Sequence, residues 1–189
     1  MNDDAPKPKL SKIELRDQHA LLIGRIAMIW NILHENLATL FGALFEHKDL
    51  KLALASWHSQ VNDAAQREML RAVAETKFGP DAKAYEEINW ILEKIKQQIA
   101  NQRNIGIHMP VMFLTHVQSQ EPAAMPLYFS GNRRANTMHG KDLLKEYQHY
   151  EGQIDKLNNY LLAIDWNLTH PTLQKPWPDR PRLQPHAPK

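Results

Sequence analysis

Apolar residues recur at steps of three and four over the first part of the chain, with polar residues between them. This spacing is the period of an α-helix, so the pattern predicts one long helix. Ser11 and Glu14 form a potential capping box at its start, in which each side chain satisfies a free backbone amide. The positions that share one face are Leu22, Ile26, Trp30, Leu33, Leu37, Leu40 and Leu44.

The same period predicts four further helices. A shorter helix is expected at about 50–58, and a third is expected to begin at Asn62 or Asp63, both of which are residue types that cap helices. Asp81 is the predicted N-cap of a fourth helix, and a last helix is predicted over roughly 140–168. The inward face of the fourth helix consists of Ile88, Leu92, Ile95 and Ile99.

The segment between the fourth and last helices has a different character. It contains several prolines and two short apolar runs, VMFLTHV and PLYF, which predict a small hairpin within 110–130. The turn GNRRAN follows. The predicted fold class is therefore all-α, an antiparallel helical bundle of about five helices with one small hairpin. The bundle is expected over 11–169, after a disordered leader at 1–10 and before a proline-rich, extended tail at 170–189.

Composition narrows the classes of function. The chain of 189 residues has no cysteine, which excludes disulfide scaffolds, thiol catalysis and thiolate metal sites within it. Its net charge of +2 argues against a protein that coats nucleic acid but leaves room for a local nucleic-acid site. The polar N-terminus does not resemble a signal peptide, and no apolar stretch is long enough to span a bilayer. We therefore expect a cytoplasmic protein without a membrane partner.

One constellation stands out at the end of the fourth helix. Continuing its apolar face leads to Arg103, and a cation on a buried face is costly unless it has a partner or a ligand. His108 follows five residues later, and histidine titrates near neutrality. The plain structural interpretation is that Arg103 pairs with a carboxylate of a neighbouring helix and that His108 caps the helix C-terminus.

The string Arg103-Asn104-Ile105-Gly106-Ile107-His108 resembles the R-x4-6-H signature of the higher eukaryotes and prokaryotes nucleotide-binding (HEPN) family. Its position, near the end of a long helix in an all-α chain, also resembles that family. The resemblance covers roughly 15–170. It implies a homodimeric helical bundle and a metal-independent endoribonuclease whose two motifs meet at the dimer interface. The alternative that it implies is a non-catalytic module that binds a nucleotide, RNA or a protein.

The resemblance assigns the catalytic residues as Arg103, Asn104 and His108, without a metal or a cofactor. The nucleophile would be the RNA 2′-hydroxyl, with His108 transferring protons and Arg103 stabilising charge on the phosphate. Asn104 would orient His108 or the phosphate. Arg103 and His108 lie about 140° apart around a straight helix. Bringing them together therefore calls for a site shared by two helices or for unwinding at Gly106.

Several other residues are candidates for the same site. Arg67 either faces Arg103 or pairs with Asp63 on the surface, and Arg133 and Arg134 either contact the RNA backbone or lie in a solvated loop. The remaining histidines lack metal-ligand spacing. Trp177, an aromatic residue among the prolines of the tail, suggests docking on a partner subunit or on another protein. HEPN toxins that are silenced by tyrosine modification resemble the pattern R-x4-H-x-Y. Pro110 occupies the tyrosine position of that pattern here, so regulation by tyrosine modification is not expected.

Overall fold

The computed structural model describes residues 10–45, 50–115, 121–127, 132–173 and 175–188. Within these ranges the chain is mostly helical and contains a two-stranded sheet, so the predicted helical character is confirmed although the fold is not purely α. None of the helices in the described ranges is both long enough and apolar enough to cross a bilayer. The predicted leader lies almost wholly outside the described residues.

Seven α-helical segments follow one another along the described chain, and the long first and last of them dominate. The fourth and fifth are one continuous helix joined by a π-helical turn. The bounds are α1 Lys12–Leu44, α2 Leu50–His58, α3 Asp63–Phe78, α4 Lys83–Lys94, π-turn Ile95–Ile99, α5 Ala100–His108, α6 Arg133–Met138 and α7 Leu143–Thr169.

Local side-chain chemistry explains where the first helices begin. The capping box of α1 is present, with the Ser11 amide donating to Glu14 Oε2 at 2.7 Å and the Glu14 amide donating to Ser11 Oγ at 3.2 Å. Asn62 caps α3 by accepting a hydrogen bond from the Ala65 amide at 2.8 Å. The prediction that Asp81 caps α4 is wrong, because Ala82 occupies the N-cap and makes no side-chain hydrogen bond there.

The predicted hairpin is confirmed, but its second strand is shifted. Strand β1, Val111–Thr115, pairs antiparallel with β2, Pro122–Pro126, so the segment PLYF begins where β2 ends. The GNRRAN segment is also different from the prediction. Asn132 caps α6 by accepting from the Ala135 amide, so Arg133 and Arg134 open a short helix rather than lie in a turn.

The hydrophobic core forms mainly between α1 and α7. Every one of the seven positions predicted to face inward on α1 is buried. Burial of each large apolar side chain stabilises the fold by about 1.5–3 kcal/mol relative to exposure. The largest fully buried side chains include Trp57, Tyr147, Tyr150, Phe41, Ile26 and Leu33.

The π-turn sets the direction from which α5 meets α1. The Ala100 amide donates to the Ile95 carbonyl five residues earlier, so this turn holds one more residue than an α-helical turn. Ile95 and Ile99 are buried on one side of the turn, and Gln102 and Ile105 continue the buried face beyond it. The extra residue thereby keeps an apolar face against the core while α5 carries polar side chains beside it.

Residues 175–188, here called the C-terminal strap, pack against the chain's own helices. Trp177, which was expected to dock on a partner, and Leu183 are partly buried against the core of their own chain. The Gln102 side-chain amide donates to the carbonyl oxygens of Gln184 and Pro185, each at 3.0 Å. The strap therefore crosses α5 one residue before Arg103.

Candidate functional site

One nitrogen of Arg103 joins the three residues of the R-x4-6-H motif. Its Nη1 donates to Asn104 Oδ1 at 2.9 Å and also lies 3.3 Å from His108 Nε2. Arg103 and Asn104 are half-buried, whereas His108 is exposed. The motif therefore forms a connected polar cluster with the imidazole on its solvent side.

The long arginine side chain spans the angle between the two motif positions. The helix remains regular through His108, and the Met109 amide still donates to the Ile105 carbonyl at 3.1 Å. Gly106 does not unwind, contrary to one of the two expected routes. A second helix is also unnecessary for the contact between Arg103 and His108, because both side chains belong to α5.

Gly106 instead allows close packing of α5 on α1. A Cβ atom at this position would lie 3.1 Å from Ile26 Cδ1, closer than most packed carbon atoms approach. Glycine thus lets the two helix backbones come together directly behind the motif. This contact fixes where Arg103 and His108 project.

The contact between Arg103 and His108 places a permanent hydrogen-bond donor beside the imidazole. A guanidinium group only donates hydrogen bonds, so it can hydrogen-bond to Nε2 when that nitrogen carries no proton. In that tautomer, Nε2 would be the basic nitrogen that general-base catalysis requires.

Trp30 of α1 packs against the guanidinium group of Arg103. The Arg103 guanidinium lies 5.6 Å from the centre of the Trp30 ring, which is cation–π distance. Arg103 Nε is buried and has no hydrogen-bond partner among the described residues. Asn104 accepts a hydrogen bond from Arg103 Nη1 and so orients the guanidinium, while the Nε donor stays unused.

Two further polar side chains lie beside this cluster. His34 of α1 packs on Trp30 with 4.5 Å between ring centres, and Arg67 projects from α3. Burial lowers the pKa of His34, the Asp63 carboxylate raises it, and the positive charges of Arg67 and Arg103 lower it further. Asp63, one turn before Arg67 on α3, has its Oδ2 3.9 Å from His34 Nε2, so this face of α3 and Arg103 both lie beside the Trp30 and His34 pair.

Arg133 and Arg134 occupy a different position. Both are exposed in the first turn of α6, which packs on β2. The polar contacts of Arg103 and His108 described above involve neither of them. The structure does not bring them to the cluster.

Sequence reasoning did not select His34 or Trp30 for the site. The helical period predicts that Trp30 is a core residue, and His34 lacks metal-ligand spacing to the other histidines. A signal was nevertheless present, because His34 follows Trp30 by four residues and therefore shares its helix face. In the described part of the chain, no group of three or more histidine, aspartate or glutamate side chains is arranged to hold a metal ion.

Comparison with protein-family models, with curated proteins and with solved structures finds no match to this chain.

Proposed function

We propose that this protein is a metal-independent endoribonuclease of HEPN type that acts through Arg103, Asn104 and His108. The observation that carries the proposal is the polar cluster of these three residues, in which Arg103 Nη1 contacts both Asn104 Oδ1 and His108 Nε2 and the His108 side chain is exposed. The sequence from Arg103 to His108 supports the proposal further, because it resembles the R-x4-6-H signature of the HEPN family.

The chemistry follows from the atoms present. His108 Nε2 accepts the proton of an RNA 2′-hydroxyl, and the 2′-oxygen attacks the neighbouring phosphorus. Arg103 turns from His108 to the phosphate and stabilises the charge that develops there. The bond from phosphorus to the 5′-oxygen breaks, and that oxygen takes a proton from water. The products are a 2′,3′-cyclic phosphate and a free 5′-hydroxyl.

A homodimer completes this proposal. The continuous helix formed by α4, the π-turn and α5 would approach its copy in a second subunit through its C-terminal half, at a two-fold axis, so that both motifs line one cleft. His108 is exposed at the end of α5, which leaves it accessible to a second copy. Light scattering at micromolar concentration measures this directly. A dimer mass is expected, and a monomer mass would remove the dimer from the proposal.

The reaction is tested by the substrate and by the ends of the products. RNA is expected to be cut in the presence of EDTA, while the same sequence with 2′-deoxyribose stays intact because it lacks the nucleophile. Mass spectrometry should find cyclic phosphate ends. Cleavage of the deoxy substrate, or 5′-phosphate products, would contradict the mechanism. If no RNA is cut, the non-catalytic binding module is the better account.

A further inference from the structure

Three helices contribute buried hydrogen-bond donors to one region beside the motif. His34 on α1 is 8 % exposed, and Arg67 on α3 is 9 % exposed. Arg67 Nη1 and Arg103 Nε are buried, and neither has a hydrogen-bond partner in the part of the chain that the structure describes. Two guanidinium groups from different helices therefore each keep a donor free.

The aromatic ring of Trp30 shows how these groups converge. His34 packs on this ring at 4.5 Å, and Arg103 lies over it at 5.6 Å, so both touch the same turn of α1. Asp63 lies one turn before Arg67 on the same face of α3, and its Oδ2 is 3.9 Å from His34 Nε2, so this face of α3 lies against His34. The region is thus bounded by α1 below, α3 on one side and α5 on the other.

Negative charge in this region is insufficient for two cations. Asp63 contributes a carboxylate here, with its Oδ2 3.9 Å from His34 Nε2 and its side chain 47 % exposed. Glu68 is engaged by Arg71, with 3.2 Å between Glu68 Oε2 and Arg71 Nε. Among the described residues, Arg67 forms no ion pair.

Burying an unpaired cation is unfavourable, so such a residue points to a ligand that supplies the missing charge. Burial does lower the pKa of Arg67, and the more distant Asp63 and Glu68 offset this only in part. A tetrahedral oxyanion has the oxygen atoms that planar guanidinium donors bind in pairs. A phosphate group would therefore supply both the negative charge and the acceptor oxygens that the buried guanidinium donors lack.

We propose that His34, Arg67 and Arg103 form a phosphate-binding subsite next to His108. Arg103 is shared, because its Nη1 contacts His108 while its unpartnered Nε would serve the subsite. For an RNA substrate the inference rests on the proposed function, and the subsite holds a phosphate adjacent to the one that is cut. The binding of phosphate itself requires no cleavage.

The test is calorimetric titration of the full chain with three probes. Inorganic phosphate, adenosine 5′-monophosphate and a 2′-O-methyl oligoribonucleotide separate a free anion, a terminal phosphate and a backbone phosphodiester. At least one probe is expected to bind the wild type, and Arg67→Gln should weaken that binding by about tenfold or more. Arg25→Gln removes an exposed cation from α1 and should leave binding within about twofold.

Folding is checked on the same samples by thermal unfolding. Arg67→Gln is expected to fold with a melting temperature no lower than that of the wild type, because it removes an unpaired buried charge. If it does not fold, Arg67→Lys tests the same position with the charge retained, and it too should bind more weakly because it lacks the paired donors.

The outcomes separate this inference from the ribonuclease proposal. Absence of binding to all three probes, or equal binding by wild type and Arg67→Gln, would overturn the subsite. Cleavage that is unaffected by Arg67→Gln would also overturn it and leave the ribonuclease proposal standing. Phosphate binding that depends on Arg67, without any cleavage, would leave the subsite standing and remove the ribonuclease.

Discussion

At the scale of single residues, the cluster depends on how one guanidinium group divides its donors. Nη1 serves Asn104 and His108, Nε stays free, and Trp30 lies beneath the group. The types of the motif residues could be read from the sequence. Their contacts could not, because they depend on side-chain conformations and on Trp30, which lies far away along the chain.

Asn104→Ala is expected to lower the cleavage rate by about tenfold, because Arg103 loses the hydrogen bond that orients it. Single-turnover cleavage of a short RNA measures the chemical step. Substrate affinity should change less than the rate, since the charge of Arg103 remains. A purely structural role for Asn104 would instead lower the melting temperature and leave the cleavage rate of the folded fraction unchanged.

His34 makes the stability of the fold depend on pH. Its ordinary pKa is 6.5, and the folded protein lowers it through burial. The unfolded chain therefore binds the proton more readily, so this contribution is complete above pH 6.5 and decreases as the pH falls below it. The loss continues down to the lower pKa of the folded state.

The expected result is a melting temperature that falls between pH 7.5 and pH 5.5, with a smaller fall in His34→Gln. Burial also lowers the pKa of His19, so His19 contributes to the pH dependence in the same direction. His19→Gln is the matched comparison and should also reduce the fall in melting temperature. Asp63 opposes the effect at His34, and Arg67 and Arg103 reinforce it. An identical pH response in wild type and His34→Gln would contradict this assignment.

At the scale of elements, helices with local signals were predictable and those shaped by tertiary contacts were not. Ser11 and Asn62 cap their helices through residues three positions away, which sequence displays directly. Ala82 as the N-cap of α4 and the π-turn at Ile95–Ile99 have no comparable local signature. Both belong to the helix that carries the motif, so its exact placement could not be read from the sequence.

The contact between Gly106 and Ile26 is expected to hold α5 in place. Gly106→Val should lower the free energy of unfolding by about 1–3 kcal/mol, because its side chain must displace Ile26. It should also reduce cleavage by moving Arg103 and His108. Gly152→Val on α7 is the control for valine in a helix, since no atom lies within 4 Å of its Cβ position. Equal stability of the two variants would argue against close packing at Gly106.

At the scale of the whole molecule, the C-terminal strap links distant parts of the fold. Arg180 Nε donates to Glu87 Oε2 at 2.8 Å, and Arg180 Cζ lies 5.5 Å from the Trp90 ring centre. Tyr160 donates to the same carboxylate at 2.5 Å, and Lys83 Nζ lies 2.5 Å from its other oxygen. The proline-rich composition predicted an extended tail, but contacts across so many residues have no local pattern that would reveal where it packs.

Glu87 should give the fold a second, more acidic pH dependence. Its hydrogen bonds to Arg180, Lys83 and Tyr160 outweigh the opposing effect of burial and lower its pKa from 4.5 to about 2. The contribution is present above pH 4.5 and is lost as the pH falls towards 2. Glu87→Gln should therefore reduce stability at pH 7 by about 2 kcal/mol and flatten the acid unfolding curve in that range. A variant with the wild-type curve would contradict this.

The central claim is that His108 is the proton acceptor in RNA cleavage. The rate at which a His108→Ala variant cleaves RNA tests this claim most directly. Wild type, His108→Ala and the control His58→Ala are compared on one RNA in EDTA, with folding verified by thermal unfolding. His58 is a largely exposed histidine on α2 that lies 3.6 Å from Glu35. The account predicts that His108→Ala loses about 10²-fold or more of the rate while His58→Ala keeps it. A folded His108→Ala variant that cuts RNA at the wild-type rate would contradict the account.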